Sequence, residues 1–197
     1  MKMSKMAGAI ILCAGMLLSF SACAIGSGSE SDTAAEDAFK AKIVQNIGHG
    51  KKIYFAGPMF NQAEKDFNLE ITKLLEEYGY QVFLPQRDGI EAANLEGKTE
   101  EELIQMIFGL DAGEVKKADI IFMNIDGRVP DEGASVELGI AYGNGKRCYG
   151  FKTDTRAVEY GLDMNPMISG CMIKIFKNHD GNKLKEEIKQ YLAENAL

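Results

Sequence analysis

The sequence predicts an α/β domain built on a five-stranded parallel sheet with helices on both faces, and two observations carry that reading. From Lys51 onward, apolar runs short enough to be strands recur, and most are separated by segments whose apolar residues return with helical period. Runs without a polar face need cover on both sides, which parallel strands joined by crossover helices provide.

Taken in order, KKIYFAG is a strand opening into a glycine-proline turn, and within it Tyr54 and Phe55 face opposite ways because side chains alternate along a strand. Residues 62 to 78 set Phe67, Ile71, Leu74, Leu75 and Tyr78 on one helical stripe, which Gly79 ends. QVFLP is the second strand, and Pro85 opens a polar loop, QRDGIEAANLEGK. Thr99 and Glu102 form a capping box for a helix reaching about Lys117, with a break expected near Gly109. ADIIFMNI is the third strand, GASVELGIAYGNG the next helix and KRCYGFKT the fourth strand. NPMISG reads as irregular, MIKIF as the fifth strand, and a closing helix runs from about Asp180 to Glu194. Residues 51 to 197 thus form one domain.

A chain of 197 residues, 46% apolar and with a formal charge of −7, can bury a full core and argues against nucleic acid as a partner. Its first 23 residues differ from the rest: Lys2 and Lys5 precede an apolar stretch from Met6 to Phe20, then Ser21-Ala22-Cys23. This reads as an export signal, since the stretch is too short to span a bilayer and ends in small residues. FSAC resembles the lipobox of bacterial lipoproteins, which implies lipidation at Cys23; an ordinary signal peptide or an uncleaved anchor is the alternative. Residues 24 to 50 are a tether and lead-in, with IGSGSESDTAAEDA too poor in large apolar side chains to fold. Without Lys2 and Lys5, 20 basic side chains face 29 acidic ones, a charge of −9 that would not hold to anionic lipid. The expected location is therefore membrane-anchored and extracytoplasmic, attached only through the N-terminal lipid or signal, with a cytoplasmic location as the alternative. Cys148 and Cys171 read as buried free thiols, with a disulfide as the alternative. His49 and His179 lie far apart and supply no zinc or Ser-His-Asp spacing.

Ligands of such sheets bind beyond the carboxyl ends of the strands, which here carry GPMFN, PQRDG and DGRVPDEG. These loops contain no Walker spacing and no GxGxxG, so a phosphate cradle of the usual kind is not expected, nor is a cofactor or metal. They offer carboxylates instead. Asp131 stands where a helix is capped, while Glu137 lies in the first turns, where the helix dipole favours the ionised form. An ionised carboxylate pointing into a cleft can attack an anomeric carbon.

YFAGPMF, Asp111 in DAGEVKKADII, PDEGASVELGIA and the NPM of Asn165 to Met167, in that order, resemble the nucleoside 2-deoxyribosyltransferase family across essentially all of residues 51 to 197. The resemblance implies a flavodoxin-like, Rossmann-like three-layer sandwich and transfer of a 2-deoxyribosyl group between nucleobases by a retaining double displacement. By similarity, Glu137 is the nucleophile that forms a covalent glycosyl-enzyme, and the Tyr54 hydroxyl holds it in place. Asp131 is the acid near the leaving base, with Asp111 a second acid lining that pocket. Gly57, Pro58 and Met59 would shape the pocket wall, Gly133 would leave room for the sugar, and Gln86 and Asp88 would read the base edge. Asn165 and Met167 match residues that the family supplies to a neighbouring subunit's sugar site, which implies a homo-oligomer with shared active sites. The implied partners are deoxynucleosides and free nucleobases. Two rivals stay open: a deoxynucleoside or deoxynucleotide N-glycosidase, in which water is the acceptor and Arg87 or Arg128 could meet a phosphate, and a nucleoside-binding lipoprotein without turnover.

Overall fold

The computed structural model describes residues 48, 50–90, 97–156 and 162–197; the proposed signal, Cys23, most of the tether and His49 lie outside the described residues. The elements are β1 (Lys52–Ala56), α1 (Gln62–Glu77), β2 (Gln81–Phe83), α2 (Pro85–Asp88), α3 (Glu100–Lys117), β3 (Ile120–Asn124), α4 (Glu132–Gly143), β4 (Arg147–Lys152), α5 (Pro166–Cys171), β5 (Lys174–Lys177) and α6 (Gly181–Glu194). The strands form one five-stranded sheet in the order β2-β1-β3-β4-β5. All four pairings are parallel, with Tyr54 opposite Phe83 on one side and Ile121 on the other. This is the flavodoxin-like order, and the chain reverses direction across the sheet between β1 and β3.

Strand alternation divides the core in two. Ile53, Phe55, Phe122, Phe151 and Phe176 face α1 and α6, giving an aromatic layer. Tyr54, Ala56, Ile121, Met123 and Cys148 face the other way, onto α3, α4 and α5, where Ala118, Ala134 and Ala141 keep the helices close. The opposite facing of Tyr54 and Phe55 follows from the alternation.

Two helices appear where the sequence suggested none. Both begin on a proline whose fixed φ suits the first helical position, α2 at Pro85 and α5 at Pro166. The Asp88 side chain accepts from Leu84 N at 2.9 Å, and Asn165 caps α5 by accepting from Met167 N at 2.9 Å. The expected break at Gly109 is absent. α3 runs through it, because a glycine on a face with no atom within 4 Å of its would-be Cβ weakens a helix without stopping it. The capping box predicted at Thr99 and Glu102 forms, as does a second at Asn61 and Glu64. The lead-in is already packed at Gly48, whose N–H donates to Tyr78 O at 2.9 Å.

Candidate active site

β1 ends beside β3 at the reversal point, and α4 follows β3 after a short loop, so the fold carries the side chains of β1 and α4 toward each other. There the Tyr54 hydroxyl donates to Glu137 Oε1 at 2.6 Å. Phe83 stacks on the Tyr54 ring at 5.6 Å between centroids, fixing its plane from the β2 side.

Glu137 is the sixth residue of α4, past the turn over which a helix dipole acts, so the expected ionisation by the dipole is not what governs it. Burial dominates and pushes its carboxyl up to about 7; the Tyr54 hydrogen bond opposes the rise, and the charges of Asp111 and Asp131 add to it. The Tyr54 hydroxyl is itself driven far above its usual range, by burial first and then by the Glu137 charge, so it stays a proton donor to the carboxylate. Asp111, half-buried on α3, is raised by burial.

Asp131 caps α4: its Oδ2 accepts from Ala134 N at 2.7 Å and its carbonyl from Ser135 N at 2.9 Å. Ser135 Oγ also donates to the Asp131 carbonyl, at 2.8 Å. Gly133 sits against that cap, since a Cβ there would lie 3.1 Å from Asp131 Oδ2. The structure thus brings Tyr54, Asp111, Asp131 and Glu137 into one electrostatically coupled group.

The other expected site residues divide. Gly57 is required by close approach, as a Cβ on it would lie 2.7 Å from Asn124 Cβ. Pro58 is buried, and Met59 stands 37% exposed at the turn. Gln86 is occupied: its Nε2 donates to Lys65 O at 2.7 Å and its Oε1 accepts from Asn68 Nδ2 at 3.2 Å. Asp88 is drawn into the α2 turn and into a pair with Arg87 at 2.9 Å, in a cleft shared with Lys52, Gln81 and Glu114 that Glu137 does not line. Arg87 is spent on Glu76, Asp88 and the Val82 carbonyl, whereas Arg128 is exposed ahead of α4. Asn165 is used in capping, and Met167 is 78% exposed. Cys148 and Cys171 are free thiols, Cys148 buried as expected but Cys171 only partly so.

Three groups that sequence reasoning passed over belong to this region: Phe83 against Tyr54, Glu114 whose charge also raises Tyr54, and the buried pair Asn68 and Asn124. Asn124 had a signal, as the polar residue inside the apolar run IIFMNI. Asn68 had none, lying among the polar residues of an amphipathic helix.

Among solved structures, a conserved protein from Enterococcus faecalis V583 is 26% identical, with a TM-score of 0.57 over 72% of this chain and 98% of that one. A 2-deoxyribosyltransferase from Bacillus psychrosaccharolyticus is 29% identical, with a TM-score of 0.54 over 68% of this chain and 90% of that one. A CMP N-glycosidase from Clostridium botulinum shares the fold at 16% identity and a TM-score of 0.51, over 72% of this chain and 99% of that one. No curated relative matches the chain significantly. The family model described as Nucleoside 2-deoxyribosyltransferase matches residues 53–184, a stretch that begins one residue before Tyr54 and takes in every member of the coupled group. On that match, which spans most of the domain and agrees with its strand order, the chain belongs to the nucleoside 2-deoxyribosyltransferase family.

Proposed function

We propose that the chain transfers a 2-deoxyribosyl group between nucleobases through a covalent glycosyl-Glu137 intermediate. The observation that carries this reading is the 2.6 Å bond from the Tyr54 hydroxyl to Glu137 Oε1, which fixes the carboxylate and leaves Oε2 to attack. In the first step the ionised Glu137 forms a bond to the anomeric carbon as the C–N bond to the departing base breaks. The base leaves with the electron pair and takes a proton from an acid beside it. Asp111, which burial makes a better proton holder than an ordinary aspartate, suits that donation, while Asp131 Oδ1 suits a hydrogen bond to the base. A second base then attacks the same carbon, its proton returns to the acid and Glu137 is released.

The test is to incubate the protein with thymidine or deoxyinosine plus adenine and to follow deoxyadenosine, free base and free deoxyribose by chromatography. Exchange that disappears in Glu137→Ala is the expected outcome. Release of base and free sugar without exchange would make the protein an N-glycosidase. Binding that survives Glu137→Ala, with no turnover in either form, would make it a nucleoside binder.

The same reading includes a homo-oligomer that shares sites. α3 buries only Ala112 and Val115 while exposing Ile104 and Phe108, and Val136 on α4 and Met167 on α5 are also exposed. A second copy covering this face would bring Asn165 and Met167 to a neighbouring site. For location, the reading is attachment through lipidated Cys23, in which case Cys23→Ser should shift the protein from the membrane to the soluble fraction.

A further inference from the structure

Among the described residues, very few buried side chains are polar or charged, and two of these are Asn68 on α1 and Asn124 at the end of β3, each 2% exposed. A buried amide destabilises unless it is bonded, and a pair of leucines would fill such a space at less cost. Here each side-chain polar atom of the pair has a partner. Asn124 Nδ2 donates to Asn68 Oδ1 at 2.9 Å, and Asn68 Nδ2 donates to Pro58 O at 2.8 Å and to Gln86 Oε1 at 3.2 Å. Asn124 Oδ1 accepts from Asp126 N at 2.9 Å, and Asp126 in turn accepts from Thr153 N at 2.6 Å and Asp154 N at 2.8 Å.

The chain of bonds therefore crosses the carboxyl edge of the sheet strand by strand: Gln86 after β2, Pro58 after β1, Asn124 and Asp126 at β3, Thr153 after β4. These are the loops on which a ligand of this fold rests. The central bond joins the wall formed by Gly57, Pro58 and Met59 to the segment leading to Asp131. Gly57 confirms the closeness, having no room for a Cβ against Asn124. Asn124 faces the α1 side of the sheet, whereas Tyr54 and Glu137 meet on the other side, so the pair can act on substrate placement without touching the nucleophile.

We propose that Asn68 and Asn124 are positioning residues: their amide–amide bond sets the width of the cleft between the loop after β1 and the loop before Asp131, and so governs how the nucleoside seats. This rests on Glu137 being the nucleophile. A structural role alone would lower the folded fraction, and with it the apparent kcat, at constant KM. Positioning raises KM instead.

The experiment compares Asn68→Ala, Asn124→Ala and the double variant in base exchange, with amide hydrogen exchange measured on the same samples. The expected result is a KM for the nucleoside about tenfold higher in each single variant, the size of one lost hydrogen bond, with kcat within about twofold. The pH dependence should stay close to that of the unmodified protein, since burial and the Tyr54 bond, the first two causes at Glu137, lie on the other face of the sheet. The double variant should cost less than the product of the two single effects, because either change already breaks the shared bond. Unchanged KM, or effects that simply multiply, would overturn the proposal. Hydrogen exchange separates this outcome from a failure of the Glu137 reading. If even the unmodified protein exchanges no bases, joint loss of protection at residues 57, 59 and 60 and at Asp126, Thr153 and Asp154 in Asn124→Ala would still support the linked loops. A change confined to Asp126 would overturn them. Should an alanine variant not fold, Asn124→Ser is read in the same way.

Discussion

At Glu137, burial and a hydrogen bond compete, and their balance can be measured. The carboxyl titrates at about 7 and must be ionised to attack, so kcat/KM should fall about tenfold per pH unit on the acid side of that value. Tyr54→Phe removes the bond that lowers the Glu137 pKa and should move this limb to higher pH. Asp111→Asn removes a charge that raises it and should move the limb to lower pH. A common direction in the pH profiles of the two variants would refute the assignment. The same carboxyl affects stability. Its folded value of about 7 lies above the ordinary glutamate value of 4.5, so the folded state binds the proton more tightly and loses stability as pH rises from about 4.5 to 7. Glu137→Gln keeps an acceptor for Tyr54 without the buried charge. It should therefore be more stable than the unmodified protein at pH 8, on the order of 2 kcal/mol by denaturant titration, with the gap closing toward pH 5. The meeting of Tyr54 and Glu137 could be anticipated from the motifs YFAGPMF and PDEGASVELGIA. The pKa could not, because a helix dipole can be read from position in a helix whereas desolvation depends on everything packed around the group. Gln86 and Asp88 show the same limit: the sequence shows polar side chains in a loop, but not that Asn68, Lys65, Leu84 and Arg87 already occupy them.

Among the elements, the strands were the most legible and the short helices the least. β1, β3 and β4 are covered on both faces; β1 and β3 are nearly unbroken apolar runs, while β4 is buried between its terminal Arg147 and Lys152 with Cys148, Tyr149, Gly150 and Phe151. α2 and α5 span fewer than two turns and show no apolar period; their only trace is a proline following a residue that could lead into a helix. α3 shows that a glycine is a cost and not always a break. Because no atom lies near the would-be Cβ of Gly109, Gly109→Ala should raise stability by about 1 kcal/mol in chemical denaturation, while an unchanged midpoint would mean that the helix frays there.

The whole molecule presents an apolar face over α3, α4 and α5, on the same side of the sheet as the Tyr54–Glu137 pair. If a second copy covers it, Phe108→Glu should shift the protein toward monomer in sedimentation and lower base exchange together with it. A monomeric unmodified protein, or a dissociated variant with full activity, would remove the shared-site reading. Strand order could not be read from the pattern of apolar runs, which fixes how many strands there are and not which lie side by side; the order came with the family resemblance. That order bears on biosynthesis. β1 sits between β2 and β3, so when its residues leave the ribosome one of its two edges has no partner until α1, β2, α2 and α3 have all been synthesised. Until then the open edge of β1 and the Tyr54 face are aggregation-prone, and nascent chains halted short of residue 120 should depend on chaperones to stay in solution.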